Sequence, residues 1–128
     1  LLLPVPPGSR GLRQSVAREA HRANLPRLIA ELLETLPRES FKGVAVSDKP
    51  RPVEGSYMPV FLEGVAAADA LARALSLPVY RFSHQEGHIA AIRNFAPLQE
   101  TEAFLCYHLS GGTTELLEVR KGRIEIGD

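Results

Sequence analysis

The stretch Phe82-Ser83-His84-Gln85-Glu86-Gly87-His88-Ile89 joins an apolar, strand-like segment, Leu77 to Phe82, to an apolar, helix-forming one, Gln85 to Asn94. Passing from strand to helix with almost no loop is the habit of α/β folds, whose ligand sites gather at the carboxyl ends of the strands. His84 and His88 stand four residues apart, so on a helix both imidazoles lie on one face and can converge on one point. Two neutral imidazoles are good partial ligation for a transition-metal ion, although two ligands do not complete a site. The other reading is a helix-capping histidine followed by a surface histidine. Glu86 lies two places after His84, roughly opposite the pair on a helix. It is poorly placed to activate a metal-bound water, which separates this spacing from the zinc-protease motif H-E-x-x-H.

Working outward, the elements on either side repeat the alternation. Lys42 to Ser47 is a short continuous apolar run of the kind found in a strand covered on both faces. Phe61, Val65, Ala68, Ala72 and Leu75 form one apolar helical stripe, with Pro59 suited to its first turn. Upstream, Val16, Ala20, Leu25, Leu28, Ile29, Leu32, Leu33 and Leu36 recur at three- and four-residue steps. Pro26 inside that pattern predicts a kink, or a break with Asn24 capping a second helix, and Pro37 ends the pattern. Leu1 to Val5 reads as a strand stopped by Pro6, Pro7 and Gly8. Downstream, Glu102 to Leu109, Thr114 to Arg120 and Arg123 to Ile126 read as three antiparallel strands joined by turns at Gly111-Gly112 and Lys121-Gly122. The sum is an α/β domain with a mixed sheet and flanking helices.

Composition narrows the function. The chain has 128 residues, 45% of them apolar, enough for one domain with a core. Lys plus Arg and Asp plus Glu are both 15, so no bulk attraction to a polyanion is implied. Arg10, Arg13 and Arg18 read as a solvated face. The lone Cys106 excludes an internal disulfide, suits a cytoplasmic location, and reads as a buried thiol in an alternating strand. No apolar stretch reaches the roughly 18 to 20 residues that span a bilayer, so no membrane partner is expected. The chain opens on Leu rather than Met, which reads as a missing N-terminal part.

Two loops could hold an anion. In Ser110-Gly111-Gly112-Thr113-Thr114 the glycines let backbone N–H groups approach a phosphate closely, although a plain hairpin turn needs the same residues. The loop Arg51 to Met58 places Gly55 and Ser56 ahead of a helix N-terminus, where an anion is favoured; a simple connection is the other reading. His21 and His108 read as structural.

Taken in order, Gly8-Ser9-Arg10-Gly11-Leu12-Arg13-Gln14-Ser15, Gly55-Ser56-Tyr57-Met58-Pro59, Ser83-His84-Gln85-Glu86-Gly87-His88 and Ser110-Gly111-Gly112-Thr113-Thr114-Glu115-Leu116 resemble the TsaD/Gcp family. Its members are tRNA threonylcarbamoyladenosine synthases, formerly called O-sialoglycoprotein endopeptidases or glycoproteases, of peptidase type M22. The first two blocks resemble a bacterial TsaD-like paralogue group. The resemblance implies the two-lobed actin/Hsp70-like ATPase (ASKHA) fold, each lobe built on a ribonuclease-H-like sheet. It also implies an iron or zinc ion on His84 and His88 with a distant aspartate, and ATP or threonylcarbamoyl-adenylate against Leu109, Ser110, Gly111, Gly112 and Thr113. Partners implied are tRNA and TsaB/TsaE-like proteins.

Three departures stand out against that family: its first two strands and its later aspartate lie outside this sequence, Thr113 replaces a usual histidine, and Pro52-Val53-Glu54-Gly55 replaces a glycine-rich loop. The chain is therefore expected to be a fragment, with residues 1–100 a truncated first lobe and 101–128 the opening strands of the second. The three last strands are expected to fill vacated sheet positions beside Lys42 to Ser47, within the chain or in a strand-swapped homodimer. Such a fragment of a threonylcarbamoyl transferase is expected to be inactive alone. A metallopeptidase and a non-catalytic dimerising scaffold are the alternatives.

Overall fold

The computed structural model describes residues 2–8, 11–109, 114–120 and 123–126, the last four by their backbone. Helix α1 spans Gln14–Thr35, strand β1 Val44–Lys49, helix α2 Phe61–Leu75, strand β2 Val79–Ser83 and helix α3 His84–Phe95. Three strands follow, β3 (Ala103–Leu109), β4 (Thr114–Arg120) and β5 (Arg123–Ile126). The chain divides into two compact units, Leu1–His84 and Gln85–Asp128.

In the first unit β1 and β2 run parallel, Val44 opposite Val79 and Ser47 opposite Phe82, connected through α2. A bulge between Ser47 and Lys49 leaves Asp48 out of register. Just before β1, Gly43 leaves room for the Tyr80 ring: a Cβ there would sit 2.7 Å from Tyr80 Cε2, and the exposed ring would have to move. Helix α2 buries Ala68 and Ala72, the middle of the stripe read from its spacing. It begins at Phe61, so Pro59 lies in the preceding turn rather than in the helix itself. The Gln14 side chain accepts a hydrogen bond from the Val60 backbone N–H (3.3 Å), tying the start of α1 to the start of α2. The α2 helix stops at Ser76, whose φ of 55° is the left-handed conformation of a helix C-terminus.

Helix α1 decides against one of the two outcomes expected at Pro26, a break with Asn24 as a cap. It runs unbroken through Pro26, and Asn24 caps nothing. No α1 residue is buried, so the carbonyl that loses its partner to Pro26 stays within reach of water and the helix survives the loss. Leu25, Ile29 and Leu33 face Ala67, Leu71 and Ala74 of α2 across an apolar groove of about 480 Å³. A carboxylate closes one end: Arg18 and Arg22 both donate to Glu63, at 2.8 and 3.0 Å. Arg18 thus belongs to an ion-pair cluster and not to a solvated basic face.

Other expectations change as well. Residues 2–6 form no strand, and Leu2 and Val5 are exposed. Strand β1 is only half-buried, with Ala45 exposed, instead of covered on both faces. The strands form two separate sheets rather than one mixed sheet: β1 pairs with β2, and β3-β4-β5 make their own meander. The expected pairing of the C-terminal strands beside β1 within the chain is not formed among the described residues, where β3, β4 and β5 pair only with one another.

The second unit is an antiparallel meander covered by α3. Register is fixed from Ala103 opposite Arg120 to Leu109 opposite Thr114. Alternation puts Phe104, Cys106, Leu117 and Val119 on one face, where Leu117 and Val119 are buried with Ile89 of α3. Cys106 packs against that core half-buried. Helix α3 meets the sheet through Gln85, Ile89 and Arg93, each four residues from the next. Gln85 and Ile89 are buried, and the Arg93 guanidinium lies 5.7 Å from the Phe104 ring centre.

Candidate metal and nucleotide site

Helix α3 begins on the residue after β2, so His84 stands at the carboxyl end of a parallel strand, as the sequence indicated. His84 and His88 are both exposed and lie one turn apart on one helix. Their neighbourhoods differ. In the first unit the His84 ring packs beside Phe61, centres 5.9 Å apart and tilted by 55°. In the second, His88 stands beside His108 of β3, ring centres 6.0 Å apart and tilted by 37°.

A polar cluster underlies His108. Gln85, 1% exposed, donates from Nε2 to Glu115 Oε2 (2.9 Å), and the same nitrogen lies 3.3 Å from His108 Nδ1. Glu115 Oε2 is also 3.4 Å from His108 Nδ1. The Gln85 carbonyl oxygen Oε1 is buried and has no hydrogen-bond partner. An orphaned buried carbonyl is costly, about 1–3 kcal/mol, unless a cation, a donor or water fills its vicinity.

The sequence reading missed this cluster, having assigned His108 to structure and Gln85 to nothing. One signal could have found part of it. A hairpin centred, as expected, on Gly111-Gly112 would set His108 opposite Glu115, and the observed strand register does pair those two residues. Gln85 enters only through the packing of α3 on the sheet.

Of the expected phosphate-binding residues, Leu109 ends β3 and is exposed, whereas Ser110, Gly111, Gly112 and Thr113 lie outside the described residues. The loop after β1 folds back on itself. Gly55 takes a φ of 73°, the Ser56 N–H donates to the Val53 carbonyl, and Ser56 Oγ accepts from the Arg51 N–H at 3.0 Å. Nearby, Asp48 Oδ1 is buried without a hydrogen-bond partner. Among the described residues no three His, Cys, Asp or Glu side chains converge on a point that could hold an ion. None of their helices is long and apolar enough to cross a membrane.

These features define an α/β protein with a histidine pair at a strand-to-helix junction. Residues 7–128 match the family described as TsaD, tRNA N6-adenosine threonylcarbamoyltransferase, and the chain belongs to that family. It is 32% identical over 117 residues to the tRNA N6-adenosine threonylcarbamoyltransferase of Wolinella succinogenes, covering 91% of this chain and 33% of the relative. The enzyme of that name from Geobacter metallireducens is 32% identical over 111 residues, 85% of this chain and 30% of the relative. That of Salinibacter ruber is 32% identical over 108 residues, 81% and 31%. The chain thus spans about a third of the length of these relatives.

Proposed function

We propose that this chain is part of a cytoplasmic threonylcarbamoyl transferase that acts on adenosine in tRNA, and that it is inactive on its own. The match to the family over residues 7–128, which includes both histidines of α3, carries the reading. In the parent fold, residues 1–100 belong to the first ASKHA lobe and residues 101–128 open the second. Thin cover over β1 supports this, since a ribonuclease-H-like sheet needs more strands than the two paired here.

The reaction forms one bond and breaks one. The adenosine N6 amine attacks the carbamoyl carbon of threonylcarbamoyl-adenylate, the bond from that carbon to the phosphate oxygen breaks, AMP leaves, and N6 gives up a proton. His84 and His88 offer imidazole nitrogens to an iron or zinc ion, which when bound supplies Lewis-acid charge beside the adenylate. Residues 109–113 offer backbone N–H groups to the phosphate, where glycine allows close approach. The buried, unpartnered carbonyl of Gln85, between the two histidines in sequence, fits a cation nearby. Glu86 has no place on the histidine face, which speaks against a peptidase using metal-bound water. TsaB/TsaE-like partners belong to the same proposal.

The test is the gene product obtained by extending this reading frame in both directions. Given threonylcarbamoyl-adenylate and unmodified tRNA, it is expected to yield threonylcarbamoyladenosine, read by mass spectrometry of digested tRNA. His84→Ala and His88→Ala are each expected to abolish the product. Glycoprotein cleavage without tRNA modification would favour the peptidase, and neither activity the scaffold.

A further inference from the structure

We infer that His108 of β3 is an imidazole ligand paired with His88, so that the metal centre is built from the sheet as well as from the helix. The inference rests on the metal-binding reading above and adds a ligand that neither helical spacing nor motif supplies. Three observations carry it. First, the His88 and His108 ring centres are 6.0 Å apart. Two imidazoles sharing one ion at metal–nitrogen distances of about 2.0–2.1 Å have ring centres roughly 5 to 6 Å apart. The pair therefore needs little rearrangement to close on an ion.

Second, His108 has the outer partner that metal-bound histidines require. Its Nδ1 lies 3.4 Å from the Glu115 carboxylate, which can accept a hydrogen bond from it. A neutral imidazole with its proton on Nδ1 donates to Glu115 and leaves the Nε2 lone pair free to bind the ion. This is the carboxylate–histidine–metal arrangement that fixes the tautomer and raises ligand basicity. Gln85 can keep its own bond to the same carboxylate oxygen (2.9 Å). Third, the buried Gln85 Oε1 lacks a hydrogen-bond partner, the mark of a cluster that awaits a cation or a donor. His88, His108, Glu115 and Gln85 all belong to the second unit, so the arrangement is local to one packed body.

The probe is Co²⁺ alone, added to the purified chain and followed by visible absorption, with circular dichroism of each variant as the folding control. His88→Ala and His108→Ala are each expected to weaken Co²⁺ binding by about ten-fold or more. Glu115→Gln, which keeps size and loses charge, is expected to weaken it by roughly ten-fold. Zn²⁺ added to ¹⁵N-histidine-labelled wild type needs no variant, and is expected to move the Nε2 resonances of His88 and His108 together. Loss of binding in His84→Ala and His88→Ala with none in His108→Ala, or a static His108 resonance, would overturn this inference and leave the helical pair standing. Absence of Co²⁺ and Zn²⁺ binding by the wild type would overturn both.

Discussion

Single residues here act through charge as much as packing. Glu63 sits between two guanidinium groups, and the hydrogen bonds from Arg22 and then Arg18 hold its carboxyl below the ordinary glutamate range. The same contact raises Arg22. A carboxylate depressed in the folded state contributes stability that is present above its unfolded pKa, about 4.3, and lost as pH falls through the folded value. The wild type should therefore melt higher than Glu63→Gln at pH 6, with the gap closing as pH drops below 4. A gap in melting temperature independent of pH would remove the ion-pair explanation. His84 and His88 show the limit of residue-level reading: spacing puts them on one helix face, but it does not reveal that the ring of His108, from a strand, also approaches His88.

At the scale of elements, α3 and the meander define each other. The helix offers Gln85, Ile89 and Arg93 along one line, and the sheet offers Phe104, Cys106, Leu117 and Val119 by alternation. Leu117 is fully buried, so Leu117→Ala leaves a cavity that little can fill. The expected cost is about 2–5 kcal/mol, measured by urea unfolding with amide exchange on β3 and β4 as the local readout. A cost below roughly 1 kcal/mol would mean that this core is not the one holding the unit. These elements were largely legible beforehand. Alternation gave all three strands of the meander and the 3.6-residue period gave α2 and α3, because each pattern is local in sequence. Whether Pro26 breaks the helix was not legible, because a proline's effect on an exposed helix depends on whether solvent can take the freed carbonyl, which only placement decides.

At the scale of the whole molecule, many large apolar side chains among the described residues are exposed. Among the described residues only Ala68, Ala72, Ile89, Leu117 and Val119 are buried apolar side chains. Leu105, Tyr107 and Leu109 line the outer face of β3 at 68 to 72% exposure, and Leu28, Leu32 and Leu36 are exposed on α1. Contiguous apolar faces of this sort mark surfaces that another body covers. If this face carries the homodimer expected from the sequence, Tyr107→Lys, a charge set in the middle of it, shifts the chain toward monomer in sedimentation velocity. An unchanged distribution would show that this face takes no part in association.

What the sequence determined alone is local: the helical period, the strand alternation, the hairpin positions and the one-turn spacing of His84 and His88. The family blocks belong to the same list, since they too are short runs of adjacent residues. Tertiary structure decided what lies beside what. It separated the strands into two sheets, carried α1 through Pro26, and brought Gln85 to His108 and Glu115 across 23 and 30 residues of chain. The physical reason is that periodicity fixes which face a side chain occupies, whereas the partner on that face is selected by burial and pairing summed over the fold.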